Sequence, residues 1–258
     1  MSKLAVKDRF FDCSDYGRPL AVLIARRLKN TFFTPIHVTY AFGVSGLIAI
    51  FCIINEYDVL AGIFLILKSV LDAADGELSR AKNTPSHSGR YLDSIFDIIL
   101  NFLFLTAISV RCDSSSISTF IALVSIQIQG TLYNYYYVIV RNKSIGGDQT
   151  SKIFEQKPPK ALAGESQQTV DRLFLVFYFL YSAFDKLVFW MDQDAYKVKT
   201  YPNWFMSLIS IYGLGFQLLI IAIMLSFGVI QYTIPFFIYY NTLIIIILGT
   251  RKIFLEVK

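Results

Sequence analysis

Residues 67–100 read LKSVLDAADGELSRAKNTPSHSGRYLDSIFDIIL, and this stretch places two pairs of aspartates between two long apolar runs. Asp72 and Asp75 are three residues apart, while Asp93 and Asp97 are four residues apart. Either spacing puts both carboxylates of a pair on one face of a helix. The short polar segment between the pairs predicts a helical hairpin, so the two acidic faces are expected to meet at its closed end.

Long apolar runs lie on both sides of this hairpin, since 55% of the 258 residues are hydrophobic and only 17% are charged. Soluble domains carry about 25% charged residues, and a membrane-crossing helix needs about 20 mostly apolar residues. The composition therefore predicts an all-α, polytopic membrane protein with six transmembrane helices. The expected spans are residues 35–54, 59 to 78 or 81, 91–110, 117–140, 205–227 and 229–248.

Two further segments are expected at the membrane surface. Residues 1–33 form a basic N-terminal arm, in which residues 19–29 predict an amphipathic helix with an apolar stripe on one face. The six-span domain then covers residues 34–258 and contains a polar insertion over residues 141–204. Asp185-Lys186 follows twelve apolar residues inside this insertion, which predicts an interfacial helix between spans four and five instead of a seventh span.

The distribution of basic residues predicts the orientation. Lysine and arginine accumulate in the N-terminal arm, the hairpin loop, the insertion and the tail, whereas the loops on the other side hold only Arg111. Because basic residues favour cytoplasmic loops, both termini and the acidic end of the hairpin are expected to face the cytoplasm. This bias also explains the net charge of +5, so no nucleic-acid partner is expected.

The four clustered carboxylates predict a metal site. Packed together they would repel one another unless a cation lay among them, and oxygen ligands alone suit Mg²⁺ or Mn²⁺. A network of these acids with Lys68, Arg80 and Arg90 is the alternative without a metal. Gly76 and Gly89 favour the metal, because glycine within a helix costs about 1 kcal/mol relative to alanine and leaves room for a ligand.

The hairpin segment resembles the signature of the CDP-alcohol phosphotransferases, D-x2-D-G-x2-A-R-x8-G-x3-D-x3-D. Seven of its eight fixed positions match with every spacing kept, and Ser79 stands where the family usually has alanine. The resemblance implies cleavage of the diphosphate of a CDP-linked alcohol such as CDP-diacylglycerol, transfer of the phosphoryl-alcohol group to an acceptor hydroxyl in phospholipid biosynthesis, and release of CMP. It also implies that the protein forms a homodimer and that membrane lipids are among its partners.

The resemblance assigns roles to individual residues. The implied ligands of two Mg²⁺ or Mn²⁺ ions are Asp72, Asp75, Asp93 and Asp97. Asp97 is also the implied general base. The implied contacts to the nucleotide and donor phosphates are Gly76, Ser79, Arg80 and Gly89.

Basic residues near the same membrane edge are candidates for binding a phosphorylated acceptor, although ordinary membrane anchoring also explains each of them. They are Arg90, Arg141 and Lys143. Two rival functions stay open at this point. A Mg²⁺-dependent prenyltransferase usually has two separate aspartate motifs on distant helices, and a cation transporter is expected to carry its acids near the bilayer midplane on broken helices.

Overall fold

The computed structural model describes residues 4, 8–144 and 155–255, and every regular element within them is helical. Parts of the arm, the insertion and the tail therefore lie outside the described residues. In chain order the α-helices are α1 Arg18–Leu28, α2 Pro35–Ile54, α3 Asp58–Lys82, α4 His87–Arg111, α5 Ser116–Lys143, α6 Gln167–Met191, α7 Asn203–Ile209, α8 Leu214–Ser226, α9 Thr233–Tyr240 and α10 Leu243–Phe254. The all-α, polytopic class is confirmed.

The acidic hairpin forms because the chain stops one helix and starts the next within a few residues. Asn83 ends α3 in the left-handed conformation (φ 53°), which asparagine tolerates better than most residues. Ser86 then begins α4, since its Oγ accepts the Gly89 N–H at 2.8 Å and so satisfies one exposed donor of the first turn. We call the end of the bundle where α3 ends and α4 begins the hairpin end.

Helices α2 to α5 run alternately up and down. At the hairpin end, Lys82 Nζ donates to the carbonyls of Thr31 and Phe33 just before α2, both at 2.7 Å. At the opposite end, the Arg111 guanidinium pairs with Asp58 at the start of α3. The hairpin end therefore holds the beginnings of α2 and α4 and the ends of α3 and α5.

The C-terminal helices run along the bundle twice more. The expected span at 205–227 is a bent pair, Asn203–Tyr212 and Leu214–Ser226, whose axes differ by 53°. The α8 half starts against the arm, where a Cβ on Gly215 would lie 2.0 Å from the Ser14 carbonyl oxygen. Ile230–Phe254 then returns to the hairpin end.

A buried ion pair fixes the last helix there. The Arg251 Nε donates to Asp192 Oδ2 at 2.5 Å, and the Tyr136 hydroxyl donates to the same oxygen at 2.5 Å. The side chains of Arg251 and Asp192 are 5% and 1% exposed.

Helix α6 differs from the sequence-based expectation in length. The helix passes through Asp185 and Lys186 and ends at Met191, so it extends beyond the run of twelve apolar residues. Asp185 is accommodated because it lines a polar cavity, and Lys186 because it is exposed. By length and composition α6 is one of five candidate spans, whereas α3 is left out because charged residues interrupt its second half.

The contacts of α6 show that both of its ends lie at the hairpin end. Just before it, Glu165 accepts hydrogen bonds from Ser86 Oγ and the Ser88 N–H at 2.8 and 2.7 Å. Just after it, Asp192 is bonded to Tyr136 in the last turns of α5. Helix α6 therefore lies across this end, between α4 and α5, and the contacts support six crossings by α2, α3, α4, α5, α7–α8 and α9–α10.

Candidate active site

Three of the four hairpin carboxylates converge at the hairpin end. Asp72, Asp75 and Asp93 each offer one oxygen, and these three oxygens lie within 4.8 Å of one another. The convergence follows from the short α3–α4 connection, which places the last turns of α3 beside the first turns of α4. Three oxygens this close together could hold one hard divalent cation.

The surroundings of the three carboxylates fit such a cation. Asp75 Oδ2 accepts a hydrogen bond from Thr39 Oγ1 at 2.8 Å, which orients this carboxylate from the side of α2. Asp93 Oδ1 is buried, and the part of the chain that the structure describes offers it no hydrogen-bond partner. Buried polar atoms are rarely left unsatisfied, so a metal ion bound between the carboxylates would give Asp93 the partner it lacks.

Asp97, the fourth member of the sequence pattern, has a different neighbour. The Lys68 ammonium pairs with Asp97 Oδ1 and also lies 3.2 Å from Asp72 Oδ2. Lys68 is one helical turn before Asp72 and is buried, with 1% of its side chain exposed. The structure thus contains part of the ion-pair network that was the alternative to a metal site. Lys68, however, contacts only two of the four carboxylates.

The residues expected to bind the donor surround the three carboxylates. Gly76, Ser79, Arg80 and Gly89 all line the same cavity. Ser79 Oγ donates to the Thr84 carbonyl at 2.9 Å and so helps to close the end of α3. A Cβ on Gly76 would lie no closer than 3.4 Å to any neighbour, the nearest being Arg80 Nη1, so no crowding by the protein requires this glycine.

Arg80 belongs to an ion-pair network that reaches the N-terminal arm. Its Nη2 lies 3.0 Å from Glu77 Oε1, and Arg18 Nη1 of the N-terminal arm lies 2.5 Å from the same oxygen. Arg18 also pairs with Asp15. The buried Glu77 carboxylate, 3% exposed, thereby links the arm to the arginine of the motif.

The three basic acceptor candidates have different positions. Arg90 and Arg141 line the cavity, and Arg90 Nη1 also lies 2.5 Å from Glu155 Oε1 of the insertion. Lys143 does not belong to the cavity wall. Its Nζ donates to the carbonyls of Tyr196 and Val198, the first at 2.6 Å, and so ties the end of α5 to the segment after α6.

The insertion packs onto the start of α4. Glu165 is partly buried, which by itself would raise the pKa of its carboxyl, but hydrogen bonds from the Ser88 backbone N–H, the Ser86 hydroxyl and the Leu162 backbone N–H lower that pKa to about 2. Tyr91 also donates to Glu155 Oε2 at 2.6 Å. The insertion thus forms one wall beside Gly89 and Arg90.

The cavity has a volume of about 1360 Å³, above the 300–1,000 Å³ typical of a pocket for one small ligand. It therefore has room for two substrates side by side. Several of its wall residues were missed by sequence reasoning, because they come from the arm, the aromatic end of α5 and α6. They include Asp12, Asp15, Arg18, Tyr133, Tyr137, Tyr181 and Asp185.

The position of the acids bears on the transporter alternative. Asp72, Asp75 and Asp93 lie on unbroken helices, in the half of each helix that is nearer to the hairpin end. Transporter sites typically use discontinuous helices near the bilayer midplane. The geometry therefore does not favour transport.

Comparisons with known proteins agree with this geometry. Curated relatives named "Bifunctional IPC transferase and DIPP synthase" come from Archaeoglobus fulgidus (35% identical over 77 residues, 30% of this chain and 16% of the relative), Aquifex aeolicus (34% over 85 residues, 32% and 19%) and Thermococcus kodakarensis (40% over 67 residues, 26% and 16%). The chain thus spans less than a fifth of the length of each of these three relatives. A family model described as CDP-alcohol phosphatidyltransferase matches residues 32–242, which include the whole acidic hairpin and helices α2 to α9. The chain belongs to the CDP-alcohol phosphatidyltransferase family.

Proposed function

We propose that this enzyme moves a phosphatidyl group from CDP-diacylglycerol to an acceptor hydroxyl and releases CMP. The observation that carries the proposal is the convergence of Asp72, Asp75 and Asp93 at the wall of a cavity large enough for two substrates. In the reaction, the acceptor oxygen forms a bond to the phosphorus that bears the alcohol, and the bond from this phosphorus to the CMP oxygen breaks. The hydroxyl proton passes to a base.

The donor diphosphate is proposed to lie between the three carboxylates and Arg80. A bound Mg²⁺ or Mn²⁺ ion would neutralise charge on the diphosphate oxygens and on the departing CMP. Arg80 is positioned for the same phosphates because Glu77 fixes its guanidinium at the cavity wall. The part of the cavity lined by Gly76 and Gly89 is proposed to admit the cytidine.

Asp97 is the proposed base. It lies one turn after Asp93 on the same face of α4 and lines the cavity. Lys68 bonds to its Oδ1, so Oδ2 can accept the proton of the attacking hydroxyl. An oriented base of this kind typically contributes a factor of about 10²–10⁴ to the rate.

The acceptor is proposed to enter beside Arg90 and Arg141, whose guanidinium groups would suit a phosphorylated alcohol. The hairpin end is proposed to face the cytoplasm, because a soluble nucleotide and a soluble acceptor arrive from water while the lipid chains stay in the bilayer. A homodimer is proposed from the resemblance alone, and the mass of the protein–detergent particle would test it.

The test is CMP release by the purified full chain in lipid nanodiscs with CDP-diacylglycerol and acceptors supplied one at a time. We expect release that depends on an acceptor and on Mg²⁺, and loss of release in Asp75→Asn. Asp194→Asn is the matched control, because Asp194 is 56% exposed and pairs only with Lys197 among the described residues. Release that survives in Asp75→Asn, or no release with any CDP-linked alcohol, would refute the proposal.

A further inference from the structure

Lys68 is a buried lysine beside the acidic hairpin, and it contacts two of the four aspartates. Lys68 Nζ lies 3.2 Å from Asp72 Oδ2 and is bonded to Asp97 Oδ1. It also lies 4.7 Å from the centre of the Phe42 ring on α2. A charged ammonium with 1% exposure is disfavoured in an apolar bundle unless anionic groups compensate it, and here two carboxylates do so.

The position of Lys68 divides the four carboxylates into two sets. Asp72, Asp75 and Asp93 share one point of convergence, whereas Asp97 is turned toward the ammonium. All four aspartates line the cavity, but Lys68 is not among the described residues of its wall. The ammonium therefore reaches Asp72 and Asp97 from behind, on the side away from the substrates.

A second divalent ion between Asp72 and Asp97 would lie directly beside this ammonium. Like charges at such a separation repel strongly where little water screens them. The ammonium cannot move into solvent to relieve the repulsion, because the bundle covers it. The same two carboxylates would also have to satisfy both cations.

We propose that Lys68 takes the place of a second metal ion, so that the chain binds one divalent ion through Asp72, Asp75 and Asp93. This inference rests on the metal site of the proposed function and differs from the two ions that the family resemblance implies. Lys68 acts as a positioning residue, since it touches no substrate. It fixes the Asp97 carboxylate through Oδ1, so that Oδ2 is the oxygen left for the acceptor proton.

The number of bound ions tests the inference directly. The purified full chain in detergent is titrated with Mn²⁺, and bound ions are counted by metal analysis and by electron paramagnetic resonance. We expect one Mn²⁺ per chain and the six-line spectrum of an isolated ion. Two ions per chain, a spin-coupled spectrum, or no bound Mn²⁺ would overturn the inference.

Variants at position 68 test whether the charge of Lys68 sets the number of bound Mn²⁺ ions. Lys68→Met keeps the length of the side chain and removes its charge, so we expect it to bind a second Mn²⁺ and to show the coupled spectrum. Lys68→Arg should still bind one ion. Lys186→Met removes an exposed lysine of α6 and is the matched control, also expected to bind one ion.

Folding is checked by gel filtration and by thermal unfolding of each variant. If the Lys68→Met protein folds and binds one ion, the proposal that Lys68 replaces a second ion is wrong. If this variant fails to fold, the numbers of ions bound by the wild type and by Lys68→Arg decide. The CMP assay is separate from the ion count. A chain that binds one Mn²⁺ but releases no CMP would refute the proposed reaction and keep this inference.

Discussion

Asp97 and Asp75 differ in their partners, and this difference predicts different losses on substitution. Asp97 is bonded to Lys68, while Asp75 is one of three converging carboxylates. Asp97→Asn removes the base but keeps the shape, so we expect transfer to fall about 10²–10⁴-fold with donor and metal binding largely kept. Asp75→Asn should lose donor and metal binding together. CMP release and Mn²⁺ affinity measure both effects.

Two outcomes would contradict the assignment of Asp97 as the base. One is near-normal transfer in Asp97→Asn. The other is a loss of donor binding as complete as in Asp75→Asn, since Asp97 would then act as a ligand. Neither measurement depends on knowing the natural acceptor, provided that one working acceptor has been found.

Thr39 makes a supporting contact whose value can be measured. Its hydroxyl donates to Asp75 Oδ2 at 2.8 Å, and Thr39→Val replaces it by a methyl group of similar size. Loss of a hydrogen bond that orients a metal ligand typically weakens metal binding about 10–100-fold, and we expect a fall of this order in Mn²⁺ affinity. Thr106→Val is the control, because the Thr106 hydroxyl donates to the Phe102 carbonyl of its own helix. Equal affinities in both variants would show that the Thr39 contact does not orient Asp75.

At the scale of single residues, spacing along the sequence was sufficient to predict the acidic hairpin, because partners three or four residues apart share a helix face. It was not sufficient for Arg18 and Glu77, which are 59 positions apart and meet only because α1 packs on α3. Periodicity identifies the buried face of a helix but not the element that covers it. The link from the arm to Arg80 was missed for this reason.

Among the elements, α6 gives the sharpest test of topology. Both of its ends contact the hairpin end, so we expect cysteines introduced at Gln168 and Asp194 to be labelled from the same side of the membrane. The background for this measurement replaces the native Cys13, Cys52 and Cys112 by serine. Labelling of the two positions from opposite sides by an impermeant maleimide would show that α6 crosses the bilayer.

The termini provide an independent check of the same topology. Six crossings place the N-terminal arm and the end of α10 on one side. Reporter fusions at the two ends of the chain should therefore both read cytoplasmic. Opposite readings would require a seventh crossing and would overturn the orientation inferred from the basic residues.

The composition of α6 suits both a surface helix and a crossing helix, and Asp185-Lys186 was the one feature of its sequence that favoured the surface course. Its outer face exposes Leu175, Phe179 and Trp190 (71%, 82% and 71%), as expected of a helix in contact with lipid. Its inner face places Tyr181 against the Ser94 carbonyl at 2.7 Å. The contacts of α6 with α4 and α5 are what distinguish a surface helix from a crossing helix.

For the whole molecule, metal binding should be coupled to stability. The three carboxylates come from two helices, α3 and α4, and Thr39 adds α2, so an ion that binds only the folded bundle stabilises all three helices. At 100 times its dissociation constant such an ion adds about 2.7 kcal/mol. We expect EDTA to abolish CMP release and to lower the unfolding temperature by several degrees, and Mg²⁺ or Mn²⁺ to restore both.

The variant Asp75→Asn is the control for the thermal measurement, because it should unfold at the same temperature with and without Mg²⁺. Undiminished activity in EDTA, after metal analysis has verified removal, would be incompatible with a metal-dependent reaction. A shift of equal size in Asp75→Asn would place the stabilising ion elsewhere in the molecule.

The ion pair between Asp192 and Arg251 has a consequence for biosynthesis. The two residues are 59 positions apart, so when the ribosome has completed α6, the Tyr136 hydroxyl is the one side-chain partner of the Asp192 carboxylate among the described residues made by then. Its arginine partner is translated only after the next two crossings have almost been made. This corner of the hairpin end can therefore close only late in synthesis, and a chain that stalls before Arg251 leaves the Asp192 carboxylate without its arginine partner.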